Sequence, residues 1–395
     1  RSGYGGKGKR LRNSLVVFET ASALVLLVGA GLLINSFVRV LRVPPGFNPE
    51  GVVIAQTALS ASRYQTPEQR KNVQRRMLER LSALPGVQAA GVTTNLPLVG
   101  DRGIGFVIEG KESQVNTAYN AWVSNDYFQA LGIPLRSGRS FNDGDRENTP
   151  AVVVINETMQ RRFWPNGDAL GKRLGWGGWQ QLLTIVGVVS DVKVSSLEAE
   201  TMPAIYMPIF QIPRARENVI YVIRSSTDAA SLAVAVRREI SAVDAEVPVF
   251  DVRTMNQVIA ASVSSRRFLL LLVEVFAGAA LVLAGFGLYG VVAYNVTQRI
   301  PEIGLRMALG ARPADVLRLI IGQGMRPALL GMVIGLAASL VFGRFLQKFL
   351  FGVSARDPLT LAMIAGALLC VALTACWVPA RRAMKADPMA ALKAD

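Results

Sequence analysis

Four apolar runs, each close to the length of a membrane span, constrain this chain more than any other feature of it. A helix needs roughly 20 consecutive apolar residues to cross a bilayer. The first run is Leu15–Ile34, "LVVFETASALVLLVGAGLLI", and the second is Phe268–Ala293. The third extends from about Arg326 to Phe342, and the fourth covers about Leu359–Val378. The runs are unevenly spaced: residues 36–265 separate the first from the second, while the last three follow closely on one another. A chain that is 51% hydrophobic is too apolar to be wholly water-soluble and too polar to lie in a membrane throughout. The expected fold is an α+β membrane protein. Four transmembrane helices carry a large α+β extracytoplasmic domain inserted between helices 1 and 2.

A cleaved signal peptide is the rival reading of the first run, because basic "KGKRLR" precedes an apolar stretch. The apolar core is longer than a signal core and no cleavage site follows, so an uncleaved span is expected. The divisions read from the sequence are a basic tail and span 1 (1–35), an outside domain (36–265), and spans 2–4 (266–395). Arg1 is not a start Met, so the chain reads as processed, trimmed or cut from something longer.

The net charge of +15 invites a nucleic-acid reading. Its distribution argues against one. Residues 36–265 are nearly balanced and well mixed, the surplus surrounds the apolar runs, and no basic stripe carries interleaved aromatics. Lys and Arg instead set a topology. Residues 1–14, 294–318 and 380–395 hold 13 of them, against seven beside the opposite ends of the spans. The positive-inside rule then places both termini in the cytoplasm, with basic flanks against anionic lipid. The chain has no His, which removes the usual general base, Ser-His-Asp and Cys-His arrangements and His-based metal sites. Cys370 and Cys376 are six residues apart in one apolar run, point to different helix faces and are expected to pack rather than to pair.

Small residues recur every four positions in the last two spans. Gly331, Gly335, Ser339 and Gly343 form one ladder, and Ala362, Gly366, Cys370 and Thr374 form another. Spacing of four lines each set along one face, where two helix backbones can approach closely. Glu19 and Glu274 are ionisable residues inside spans. An ion path is the functional reading. The plainer one is that each snorkels or pairs with the Arg seven residues earlier, Arg12 or Arg267.

In the outside domain "GVVIAQTALS" is strand-like, "TPEQRKNVQRRMLERLSAL" is an amphipathic helix, and "GVQAAGVTTNLPL" returns as a strand. "NVIYVIRSS", "DAASLAVAVRREISAV" and "VPVFDVRTM" repeat that order later. The pattern predicts one β-α-β subdomain split in sequence (about 45–115 and 216–260), with a β-rich insert over about 116–212. Asp143, Asp145 and Glu147 in "NDGDREN" lack the register of a calcium loop and read as a solvated turn. "GYGGKGKR" near the N-terminus has the spacing of a phosphate-binding loop, but Arg10 stands where Ser or Thr should hold Mg²⁺. It reads as a flexible basic tail, so no ATP site, cofactor or metal is expected in this chain.

Between spans 2 and 3 lies "QRIPEIGLRMALGARPADV". Pro301 suits the first turn of a helix, Gly310 its end, and Glu302 and Arg306 are an i,i+4 pair in the favourable order. Ile300, Ile303 and Met307 make an apolar stripe, and Pro313 can begin the next helix. A short amphipathic helix over about 300–310 follows, either resting on the lipid surface or docking into a groove on a soluble partner.

"RIPEIGLRMALGARPADVL", with the C-terminal "WVPARRAMKADPMAALKAD", resembles the MacB/FtsX superfamily of ABC-transporter permeases. "VSNDYFQALGIPLRSGRSF", "VVVINETMQRRFWP" and "IVGVVSDVK" are similar to the MacB-like periplasmic core domain. "FGLYGVVAYNVTQRIPEIGLRMALGA" looks most like one half of the acidobacterial duplicated orphan permeases. The resemblance implies a non-enzymatic permease that pairs with a second permease unit and sits on separate ATPase subunits, where ATP and Mg²⁺ bind. A periplasmic adaptor is a further implied partner. The family's ATPase-coupling segment maps onto Glu302, Ile303, Gly304, Arg306, Ala308, Leu309, Gly310 and Ala311, with Pro301 departing from its pattern. The competing readings are a membrane-anchored regulator that relays signals without transport, and a receptor that has lost its ATPase.

Overall fold

The structure is a computed structural model, and it describes residues 4–100, 103–111, 113–176, 182–212, 215–300, 302–303, 306, 312–354 and 356–384. The chain divides into two compact units, Val43–Ser265 and Arg1–Arg42 with Arg266–Asp395.

In chain order, α1 (Tyr4–Leu41) leads to β1 (Val52–Ala58), α2 (Pro67–Ser82) and β2 (Val87–Thr93). Next come β3 (Gly103–Ile108), β4 (Asn116–Val123), α3 (Tyr127–Leu131), β5 (Leu135–Gly138) and β6 (Val152–Asn156). They are followed by α4 (Glu157–Phe163), β7 (Arg173–Trp176), β8 (Leu182–Val189) and β9 (Ala204–Pro208). The strand–helix–strand order then repeats as β10 (Asn218–Ser225), α5 (Ala229–Val243) and β11 (Val249–Thr254). After α6 (Met255–Ser262) come three long helices, α7 (Ser264–Thr297), α8 (Pro313–Leu346) and α9 (Pro358–Met384).

Residues distant in sequence build one half of the Val43–Ser265 unit. Strands β11, β1, β10 and β2 lie side by side, every pair antiparallel. That is a split βαβ arrangement with α2 and α5 as its crossovers. Thr66 caps α2 in a reciprocal capping box with Gln69, and Pro67 occupies the first turn. The caps leave two apolar stripes at i, i+4, i+8: Val73, Met77 and Leu81 on α2, and Leu232, Val236 and Ile240 on α5. Both stripes enter one core with Val53, Ala55, Val92, Tyr221 and Ile223 of the sheet. Each Val, Leu, Ile or Met among them contributes about 1.5–3 kcal/mol by leaving water.

The other half closes on itself. Strands β4, β3, β7, β8, β6 and β9 pair in sequence, and β9 returns to pair in parallel with β4, giving a six-stranded ring. Closure removes the free edges that a sheet of short strands would otherwise expose. Asn156, fully buried, ties the ring together: its Oδ1 accepts from Met159 N (3.0 Å) and Ala204 N (2.9 Å), and its Nδ2 donates to Met202 O (2.9 Å). The sheets of the two halves join at the β2–β4 pair, Thr93 opposite Val123, and the halves share one core. Strand β3 pairs with β4 and β7, so it belongs to the ring, whereas the sequence pattern assigns it to the first β-α-β unit. The reason is register: backbone pairing, not proximity in sequence, fixes membership of a sheet.

The acidic turn is occupied internally. Asp145 takes two bonds from Arg139 (2.7 and 2.8 Å), Asp143 accepts from Asn125 (2.8 Å), and Glu147 pairs with Lys71 (2.7 Å).

In the other unit α1, α7, α8 and α9 are each long and apolar enough to cross a membrane. All four positions of the Gly331, Gly335, Ser339, Gly343 ladder are buried. A Cβ added at Gly331 would lie 2.7 Å from Val17 O, and one at Gly335 would lie 2.8 Å from Ala21 O, so α8 packs backbone to backbone on α1. The second ladder behaves differently. Ala362, Cys370 and Thr374 are exposed, and nothing lies within 4 Å of a Cβ built at Gly366. The packed face of α9 is Leu361, Ile364, Leu368, Ala372 and Cys376, in a different phase. The small residues that admit it stand on its neighbours, since a Cβ at Gly31 would meet Ile364 Cδ1 at 2.6 Å and one at Gly324 would meet Cys376 Sγ at 2.9 Å.

Two further sequence expectations are corrected. The stretch from Tyr4 is the first part of a continuous 38-residue helix, not a flexible tail, because nothing between it and the span breaks the helix. Arg12 does not pair with Glu19. Its guanidinium stacks on Tyr294 at 4.3 Å, and the Glu19 carboxylate lies against Gly287 of α7. Pro313 does begin the next helix, as its position suggests, and α8 runs on through the third apolar run to Leu346.

Candidate functional site

The sequence places its candidate site in the connection from α7 to α8. Helix α7 ends where Gln298 and Arg299 turn, with Arg299 N donating to Val296 O (3.0 Å). Ile300, Glu302, Ile303 and Arg306 are helical, and Ile303 N donates to Arg299 O (2.9 Å). Gly304, Ala308, Leu309, Gly310 and Ala311 lie outside the described residues.

Glu302, Ile303 and Arg306 meet at one recess with different chemistry. Ile303 is half-buried and lines a recess of about 40 Å³ with Val296 of α7 and Val316 and Ile320 of α8. Glu302 and Arg306 line the same recess, joined by an ion pair of 2.9 Å, and still leave their side chains 48% and 51% exposed. An exposed i,i+4 pair is worth only about 0.2–0.5 kcal/mol, so both groups remain available to a partner at little cost. Sequence reasoning missed Arg299. Its Nη1 donates to Gln323 Oε1 of α8 (3.0 Å), and its Nε lies 4.0 Å from Glu302, so it ties the segment to α8. Its position four residues before Ile303 was the available signal, since it places both on one helix face.

The helices around the segment share one apolar cluster. Leu288, Val292 and Val296 of α7 pack with Met325 and Ala328 of α8, Val16 of α1, and Ala372 and Cys376 of α9. Arg382 on α9 donates to Tyr289 OH of α7 (3.0 Å). Among the described residues no group of three His, Cys, Asp or Glu could hold a metal ion.

Two known families together account for most of the chain. The MacB-like periplasmic core domain matches residues 18–245, and the FtsX-like permease C-terminal domain matches residues 274–388. The chain belongs to the MacB/FtsX permease family. The Macrolide export ATP-binding/permease protein MacB of Acinetobacter baylyi is 29% identical over 300 residues, 73% of this chain and 44% of that protein. The Probable syringafactin export ATP-binding/permease protein SyfD of Pseudomonas syringae pv. tomato is 30% identical over 287 residues, 69% of this chain and 42% of that protein. The chain thus spans less than half the length of these curated relatives. The crystal structure of the periplasmic region of MacB from Actinobacillus actinomycetemcomitans superposes with a TM-score of 0.38 at 15% identity, covering 56% of this chain and 95% of that one. In MacB/FtsX terms, the periplasmic core domain match covers the Val43–Ser265 unit as far as residue 245, and the FtsX-like match covers α7 from residue 274 together with α8 and α9.

Proposed function

We propose that this chain is the membrane permease of an ABC-type exporter or mechanotransmission complex of the bacterial inner membrane. A separate ATPase, carrying ATP and Mg²⁺, docks on the 302–306 segment. Its motion passes through α7 and α8 to the extracytoplasmic domain, which moves substrate or engages a periplasmic adaptor. A second permease unit completes the complex, as a homodimer or as the other half of a duplicated polypeptide. The observation that carries this reading is the 302–306 segment itself: half-buried Ile303 lies against α7 and α8, while Glu302 and Arg306, at the same recess, keep about half of each side chain exposed and are held only by an ion pair. A segment that only rested on lipid would turn Ile303 to the acyl chains and not into the protein.

The test is reconstitution. The chain is purified in mild detergent from its native membranes, placed in liposomes with the nucleotide-hydrolysing protein that accompanies it, and assayed for ATP hydrolysis. Hydrolysis stimulated by the chain supports the reading. A chain that binds extracytoplasmic partners while no ATPase accompanies or continues it supports a membrane-anchored regulator instead.

A further inference from the structure

A cleft of about 990 Å³ opens between α1, the end of α7 and α8. Its rim is basic. Arg12 of α1, Arg299 after α7 and Arg326 of α8 all line it, and no carboxylate does. Among the described residues Glu302 lies 4.0 Å from Arg299, and Glu19 lies against Gly287. Arg326 is exposed and makes no ion pair among the described residues, and Arg12 Nε is buried with no hydrogen-bond partner. Four carboxamides, Asn13, Asn295, Gln298 and Gln323, line the same cleft, with Gln298 Nε2 donating to Tyr294 OH and Gln323 Oε1 accepting from Arg299.

Further along both helices the lining becomes apolar. Phe18 and Ala21 continue the α1 wall, and Leu330 and Ile334 continue the α8 wall at one-turn intervals above Arg326. Eight residues of helix span about 12 Å, so the cleft runs from a cationic rim into the depth of the apolar layer. That sequence of surfaces matches an amphiphile with an anionic head and a hydrocarbon tail. A free phosphate would leave the apolar depth uncovered. A choline headgroup would find no carboxylate for its ammonium. Basic pockets between transmembrane helices are the sites at which acidic headgroups bind.

We propose that this cleft binds one anionic phospholipid, its phosphate held by Arg12, Arg299 and Arg326 and an acyl chain lying between the α1 and α8 walls. Arg299 also flanks Glu302 and holds Gln323, so the bound headgroup shares a side chain with the 302–306 segment. The lipid then steadies that segment from the membrane side.

The test uses the full chain in nonionic detergent without nucleotide, so its outcome is independent of whether an ATPase couples to the segment. Dioleoyl phosphatidylglycerol and dioleoyl phosphatidylcholine are titrated separately, and retained lipid is counted by native mass spectrometry. Phosphatidylglycerol is expected to be retained at least tenfold more tightly. Each Arg near a charged headgroup is worth roughly fivefold in affinity, so Arg326→Gln should weaken retention about fivefold and the Arg12→Gln, Arg326→Gln pair about 25-fold. Arg326→Lys should restore most of it, which separates lost charge from misfolding. Arg344→Gln, at the far end of α8, should change nothing. Equal retention of the two lipids, or undiminished retention in the double variant, overturns the proposal. Displacement of the lipid by millimolar inorganic phosphate overturns it as well, in favour of a soluble anion.

Discussion

Replacing Gly335 by Leu tests the α1–α8 contact most sharply. A Cβ at Gly335 would stand 2.8 Å from Ala21 O, 2.9 Å from Ala21 Cα and 3.0 Å from Leu24 Cβ, where ordinary contacts begin at 3.4 Å. Two of those three atoms are backbone, so no rotamer change relieves them. The helices must separate by roughly half an ångström for Ala alone, and Leu adds three more carbons. Overpacking a closed interface typically costs about 1–3 kcal/mol, and a backbone-lined site belongs near the upper end. Gly366→Leu supplies the control, because its Cβ would meet nothing within 4 Å. Both substitutions gain the same helix propensity, about 0.8–1 kcal/mol, so their difference isolates the packing cost. We expect Gly335→Leu to lie about 2–3 kcal/mol below Gly366→Leu, roughly 30–150-fold in the unfolding equilibrium. Unfolding of the chain in mixed micelles, followed by a fluorophore pair on α1 and α8, measures it. Equal stability of the two variants would refute close backbone packing on this face.

Other expectations follow from the same geometry. With Cys370 and Cys376 replaced by Ser, single Cys at exposed Asn142 and Asn218 should react with an impermeant thiol reagent in intact spheroplasts, and Cys at Gly8 or Ala386 should not. The reverse labelling would invert the topology. Asn156→Ala removes a buried side chain bonded to Met159 N, Ala204 N and Met202 O, and should destabilise the 43–265 unit by about 3 kcal/mol, read from urea unfolding. The Tyr64 hydroxyl and then the Glu246 backbone N–H hold the Asp244 carboxyl below its ordinary range. A carboxyl depressed on folding contributes stability that is present above its unfolded value and lost as pH falls through the folded one. Stability of this unit should therefore decline on acidification below the ordinary carboxylate range, and Asp244→Asn should flatten that slope in unfolding midpoints measured against pH.

The elements were legible where pattern and packing agree. Val73, Met77 and Leu81 recur at helical spacing on α2, and a capping box marks where that helix begins. The split β-α-β order was visible because both copies carry their own strand and helix periods. The closed ring was not, since strands of four to eight residues carry no mark of which neighbour they pair with, and the β9–β4 closure joins residues about 85 positions apart. The two ladders show the same limit at a finer scale. Gly331 and Ala362 begin equally good repeats, yet only the first faces a helix of this chain, because Gly31 and Gly324 already provide the close approach that α9 uses. Glu302 and Arg306 were found from their i,i+4 spacing. The tie from Arg299 to Gln323 spans 24 residues of sequence and needed the fold.

Charge reversal at the 302–306 segment tests the central claim directly. Glu302→Arg and Arg306→Glu each set like charges one turn apart, an intrahelical cost of only about 0.2–0.5 kcal/mol, too small to unfold a segment seated by Ile303. The measurement is chain-dependent ATP hydrolysis in liposomes, with the amount of ATPase retained on purification recorded in parallel. If the segment carries force from an ATPase, each variant loses most of the stimulated rate and retains less partner, while α1, α7, α8 and α9 still insert and the 43–265 unit still folds. Normal stimulation and normal partner retention in both variants would contradict the account.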